Sequence, residues 1–130
     1  MPIETLINKE TRVIIRKITE KFDFEDIKSS FEASIRNPDF QKNMPVIWDL
    51  RNADASKLSE QNIQQIIDYI EKSTESRGTG YKVALVASRD LEYGVSRMYE
   101  AMGYDLPRKI QVFREFDKAE RWVIESDTDK

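Results

Sequence analysis

With 130 residues, 39% of them hydrophobic and 35% charged, the chain is one domain's worth of polypeptide and is large enough to bury a core without a metal or disulfide. Its net charge of −3 offers no basic footprint for nonspecific nucleic-acid binding. The sequence has neither cysteine nor histidine, which excludes disulfides, thiol catalysis, histidine general bases, Ser-His-Asp triads and nearly every transition-metal site.

The chemistry left to an enzyme is carboxylate, lysine, tyrosine or serine–lysine work, with a carboxylate-only Mg²⁺ or Ca²⁺ site open in principle. The expectation is therefore a non-enzymatic protein with no cofactor and no metal. No apolar run approaches the ~20 residues of a membrane span. Met1-Pro2-Ile3-Glu4 carries no basic-then-apolar signal pattern. A cytoplasmic protein without membrane insertion is expected.

In chain order, Ile3 to Lys9 and Arg12 to Ile18 read as two strands joined by a polar turn around Asn8-Lys9-Glu10-Thr11, an antiparallel hairpin. Asp23 with Asp26 three residues on predicts a helix N-terminus, with Phe22 and Ile27 as a hydrophobic staple. Phe24, Ile27, Phe31 and Ile35 give the buried stripe, and Asn37-Pro38 ends it. Phe40 is expected to tuck the following connection onto the core. Val46 to Leu50 is the third strand, followed by a polar stretch from Arg51 to Lys57. Ser59 then caps a helix with Ile63, Ile66, Ile67 and Ile70 at helical spacing, running to about Arg77 before Gly78 and Gly80.

The run from Tyr81 to Val123 carries the class assignment. Tyr81 to Ala87 is a nearly continuous apolar stretch, as a parallel strand covered on both faces requires. Leu91, Val95, Met98, Tyr99 and Met102 follow at helical spacing, and Gly103 closes that helix. Ile110-Gln111-Val112-Phe113 is a fifth strand, and Asp117-Lys118-Ala119-Glu120 opens a last helix with a capping box. Residues 1–124 form a single α/β domain with four helices and a mixed five-stranded sheet. Its first strand is antiparallel at an edge and the rest are parallel through right-handed crossovers. Residues 125–130 read as a charged, frayed tail.

Val46-Ile47-Trp48-Asp49-Leu50-Arg51, Tyr81-Lys82-Val83-Ala84-Leu85-Val86, Ser96-Arg97-Met98-Tyr99-Glu100-Ala101-Met102 and Ile110-Gln111-Val112-Phe113-Arg114 together resemble the STAS-like group. This is the SpoIIAA-like fold of anti-sigma-factor antagonists, and the chain is similar to a bacterial branch labelled STAS/SEC14-like. The resemblance spans residues 3–124, and Arg97-Met98-Tyr99-Glu100 is its sharpest piece. It implies a non-enzymatic regulatory or protein-interaction domain, with a kinase-like or anti-sigma regulator, or a second copy of the chain, as partner. The SEC14 side implies the alternative, a binder of a small apolar or lipid-like ligand, with a deep pocket lined by Trp48, Met98 and Met102. Antagonists carry Asp-Ser-Ser-Gly after the third strand, where the second serine is phosphorylated. Here the stretch is Asp54-Ala55-Ser56-Lys57, which keeps the Asp and one Ser and lacks the glycine.

The candidate site residues form two groups. Asp54, Ser56 and Ser59 make the candidate phospho-acceptor or interaction loop, since a phosphate's negative charge suits a helix N-terminus. Against this, Ser59 serves as a plain helix cap and Ser56 as loop surface. Asp49, Ser88, Arg89, Gly94, Met98 and Met102 make the candidate ligand or partner surface. Asp49 lies near the C-terminal end of its strand, where α/β folds place ligands, although an aspartate there commonly pairs with a base such as Arg51. Ser88, Arg89 and Asp90 open a helix whose free N–H groups suit an anion. Gly94 within that helix calls for a reason, either close helix–strand packing or backbone room for a ligand. Met98, Tyr99 and Met102 read mainly as core. Gly78-Thr79-Gly80 leaves a helix and enters a strand, the reverse of a phosphate loop.

Overall fold

The computed structural model describes residues 2–106 and 108–125. Strands β1 (Ile3–Asn8) and β2 (Val13–Ile18) form the antiparallel hairpin, with Leu6 opposite Ile15 and Thr5 opposite Arg16. Its turn is held by the Asn8 carboxamide oxygen, which accepts from the backbone N–H groups of Glu10 and Thr11 at 3.0 and 3.2 Å. Strands β3 (Val46–Asp49), β4 (Lys82–Val86) and β5 (Lys109–Phe113) extend the sheet in parallel, in the order β1-β2-β3-β4-β5. The mixed five-stranded sheet with its antiparallel edge strand is the one expected from the sequence. All five residues of β4 are buried, because this strand is covered on both faces.

Helix α1 (Phe24–Arg36) starts on a capping box in which Asp23 and Asp26 each accept the other's backbone N–H at 3.0 Å. Helix α2 (Glu60–Lys72) uses the same device with Ser59 and Asn62. Each crossover steps to the next strand in the same direction, so α1, α2 and α4 (Asp90–Met102) share one face of the sheet. Their core contains Ile14, Val46, Val83 and Leu85 from the strands with Phe22, Ile27, Phe31, Ile66 and Ile70 from the helical layer. Helix α5 (Phe116–Ile124) covers the other face, where Ala119 and Val123 pack on Val13, Ile47, Ala84 and Val86. Lys82 fastens its end to the sheet: the ammonium donates to the carbonyls of Trp122 and Glu125, both at 2.8 Å.

Four expectations about elements are corrected. The helix expected to reach Arg77 stops at Lys72, and a short helix α3 (Thr74–Arg77) follows. Ser73 and Thr74 donate their hydroxyls back to the carbonyls of Tyr69 and Glu71, which competes with the helical ladder at the break. Helix α5 has no capping box at Asp117. It begins at Phe116, with Glu115 at the N-cap two residues before Asp117, and no side chain caps it. Tertiary packing sets that start, since Phe116 joins the second-face core and lies 5.0 Å under the Arg51 guanidinium.

The buried stripe of α1 holds Ser30 and Ser34 beside Ile27 and Phe31, while Phe24 and Ile35 are only partly covered. In α4 the fully buried residues are Glu92 and Ser96, whereas Leu91 and Met98 are exposed. The helix is turned to bring a carboxylate inward. Glu125 is the last described residue, so the tail expected at 125–130 lies otherwise outside the described residues.

Candidate functional site

At the C-terminal end of β3 the chain leaves the sheet as the loop 50–59. The sequence pattern makes this a polar stretch, yet Ala53 and Ala55 are buried, at 0% and 1% exposure. Long-range hydrogen bonds anchor it. Asp54 donates its N–H to the Glu20 carbonyl at 3.2 Å and forms an isolated parallel bridge with Lys21. The Ala55 N–H donates to Glu92 Oε2 at 3.0 Å.

Glu92 is the hub of this corner. It is 3% exposed, its second oxygen Oε1 lies 3.4 Å from Arg89 Nε, and Arg89 also donates to the Ala53 carbonyl. A carboxylate and a guanidinium from the first turns of α4 thus satisfy two backbone groups of the loop. This explains the rotation of the helix, since an unpaired loop N–H at Ala55 would carry a full desolvation penalty.

Beside that corner a crevice opens between α1, α2, α4 and the sheet, with a cavity volume of about 60 Å³. Its wall is aliphatic and aromatic, including Phe22, Trp48, Leu58, Ile63, Ile66 and Val95. Glu92, Ser96 and Tyr99 add the polar atoms, and the Tyr99 hydroxyl is held by the Arg108 guanidinium. Trp48 lines the crevice as expected from the sequence. Met98 and Met102 do not: Met98 is 40% exposed on the outer side of α4, and Met102 packs on Ile63, Ile67 and Leu106.

The remaining sequence candidates are distributed around this corner. Asp49 is buried and receives Arg51 through two side-chain bonds of 2.9 Å and one from its N–H at 3.2 Å. Burial pushes its carboxyl up, but the hydrogen bonds and charge of Arg51 outweigh this and hold it below the usual carboxylate range. Asp54 is spent on its own turn: it accepts the Ser56 N–H at 2.9 Å, and the Ser56 hydroxyl first and this N–H second hold its carboxyl below the usual range. Ser56 is exposed on that turn, and Ser59 is the N-cap of α2.

Arg114 takes the start of α4, donating to the Ser88 carbonyl at 2.8 Å and pairing with Asp90 at 3.3 Å. Arg89 is turned onto Ala53 and Glu92. A Cβ at Gly94 would meet nothing within 4 Å, so close helix–strand packing is not its reason. Gly78 caps α3 and its φ of +100° places it in a turn at a helix C-terminus. Among the described residues no three acidic side chains gather as a metal site, and no helix is long and apolar enough to cross a membrane.

Two buried arginines escaped the sequence reading. Arg16 and Arg77 are each 1% exposed, and neither has a carboxylate partner among the described residues. The Arg16 guanidinium lies 4.9 Å over Trp48 and 5.8 Å over Phe31, and Nη1 donates to the Ser30 carbonyl and to the hydroxyls of Ser30 and Ser34. Arg77 stacks 3.8 Å over Tyr81 and donates to the Met44 carbonyl at 2.5 Å. Desolvation by burial, and then the charge of Arg77, lower Arg16 to about 9. The one available signal was Ser30 and Ser34 at helical spacing on the otherwise apolar stripe of α1.

No family model and no curated protein matches the chain. Among solved structures it is similar to an uncharacterised protein of the DUF3478 family from Shewanella loihica PV-4, described as having a SpoIIAA-like fold. The two share 14% identity with a TM-score of 0.59, over 93% of this chain and 91% of the other. At that identity the likeness establishes the fold, which is SpoIIAA-like, as the resemblance in the sequence implied.

Proposed function

We propose that this chain is a non-enzymatic binding domain that takes a small apolar ligand in the crevice beside the 50–59 loop. The observation that carries this reading is the crevice itself, an apolar cavity of about 60 Å³ at the carboxyl end of a parallel strand. Open α/β sheets bind ligands at that end. The volume suits one short aliphatic group better than the body of a lipid. The carboxylate in its wall, Glu92, is committed to the Ala55 N–H and to Arg89, which supports binding over acid–base chemistry.

A second reading, contact with a partner protein or a second copy, is favoured by a separate observation. Leu91, Gly94, Met98 and Ala101 follow one another along the outer face of α4, and Leu91 and Met98 are 52% and 40% exposed. The phospho-switch version of that reading has less support, since Asp54 is tied to the Ser56 N–H and the glycine of the antagonist motif is absent.

Methyl-labelled protein titrated with n-pentane tests the first reading. The expected result is saturable shifts at the methyls of Leu58, Ile63, Ile66 and Val95, with those of α5 unmoved. Shifts that are absent, or spread evenly over both faces of the sheet, would overturn it. Spectra at rising protein concentration give the second reading its own arm: movement confined to Leu91 and Met98 marks a protein contact.

A further inference from the structure

We infer that the ligand of this crevice carries a single neutral hydroxyl group, an aliphatic alcohol whose O–H sits between Glu92 and Ser96. The inference rests on the reading of the crevice as a ligand site and concerns the chemistry of the head group. Glu92 and Ser96 are one helical turn apart on α4, each 3% exposed, and both line the cavity.

Ser96 is the unusual member. The other buried helical serines both have protein partners: Ser34 returns its hydroxyl to the Ser30 carbonyl at 3.0 Å, and the Ser30 hydroxyl accepts from Arg16 at 2.7 Å. Among the described residues no protein group pairs with the Ser96 hydroxyl, which leaves it to whatever occupies the crevice that it lines. Glu92 has one hydrogen bond on Oε2 and a 3.4 Å ion pair on Oε1, which leaves acceptor capacity on both oxygens. A ligand O–H can donate to the carboxylate while its oxygen accepts from Ser96.

Charge selects among head groups. Arg89 already balances Glu92, so a ligand carboxylate would lose its hydration in an apolar surround without a counter-charge of its own. An ammonium has no net negative site to meet, because Arg89 already balances Glu92. The Arg16 guanidinium also lies 4.9 Å behind the Trp48 ring that forms part of the wall. A neutral donor meets neither objection, and the aliphatic wall takes its chain.

The test compares 1-butanol, n-pentane, butylammonium and butyrate on methyl-labelled full-length chain, in the wild type and in Ser96→Ala. Alanine suits a helix interior, so the variant keeps its fold, and this is checked by its unchanged spectrum outside the crevice. The expected result is that Ser96→Ala lowers the preference for 1-butanol over n-pentane about fivefold, the scale of one net hydrogen bond. Butylammonium and butyrate should bind the wild type more weakly than 1-butanol. If n-pentane binds but Ser96→Ala leaves that preference unmoved, or if either charged compound binds tightest, the alcohol assignment is wrong while the crevice stands. If no compound shifts the crevice methyls, the ligand site fails and the alcohol with it.

Discussion

Arg16 shows what a buried cation does when aromatic faces replace a carboxylate. Its guanidinium lies over Trp48 and near Phe31, and three oxygens of α1 accept from Nη1. Burial still disfavours its charged form, so the group is costly in itself and valuable for what it fills. Two substitutions separate these contributions. Arg16→Ala removes the cation–π contacts and opens a void between Trp48 and Phe31, and should cost about 3 kcal/mol in urea unfolding. Arg16→Met fills the space without the charge and should lie within about 1 kcal/mol of wild type, because Ser34 still donates to the Ser30 carbonyl. A Met variant as unstable as the Ala variant would show that the charge itself holds α1 to the sheet.

The two glycines on either side of β4, Gly78 and Gly94, illustrate how an element's chemistry is and is not written locally. Gly78 ends α3 at φ +100° and ψ −171°, a region open essentially to glycine, and a Cβ there would lie 2.1 Å from the Asn43 carboxamide oxygen. Gly78→Ala should therefore lose about 2 kcal/mol or more of stability. Gly94 sits in the interior of α4 with open space where a Cβ would go, so Gly94→Ala should gain about 1 kcal/mol by helix propensity alone. Thermal unfolding of the pair checks both signs, and a destabilised Gly94→Ala would reveal a role for that backbone which the open space does not suggest.

The same contrast governs what the sequence made legible. Caps at Asp23 and Ser59, the apolar run of β4 and the hairpin turn at Asn8 are local signals, and each predicts its element. The start of α5 depends on Phe116 meeting a core drawn from β2, β3 and β4, and the facing of α4 depends on Glu92 meeting Ala55, 37 residues earlier. A helical wheel scores Glu92 as surface and Met98 as core, and only the long-range bond reverses the two. The crevice followed the same rule: Trp48, on a strand whose placement was readable, was assigned to it, while the α4 methionines were not in its wall.

At the scale of the molecule the sheet divides two cores that share only strands. One face carries α1, α2 and α4 with the crevice. The other carries α5 alone, packed on Val13, Ile47, Ala84 and Val86 through Ala119 and Val123. Val123 is 5% exposed, and truncating it to alanine removes two carbons' worth of burial and leaves a small void, for an expected loss of about 2 kcal/mol. Since Val123 shares no contact with the crevice wall, that loss should not reach the site. Combined with Ser96→Ala, the stability changes should add to within about 0.5 kcal/mol, and the affinity for n-pentane should match that of the single Ser96→Ala variant. A coupling larger than that, read from a double-mutant cycle in urea with n-pentane affinity measured alongside, would mean that β3 and β4 transmit packing strain between the faces. The docking of α5 would then belong to the binding apparatus, because the same two strands carry Trp48 and Leu85 into the crevice on one side and Ile47 and Ala84 under α5 on the other.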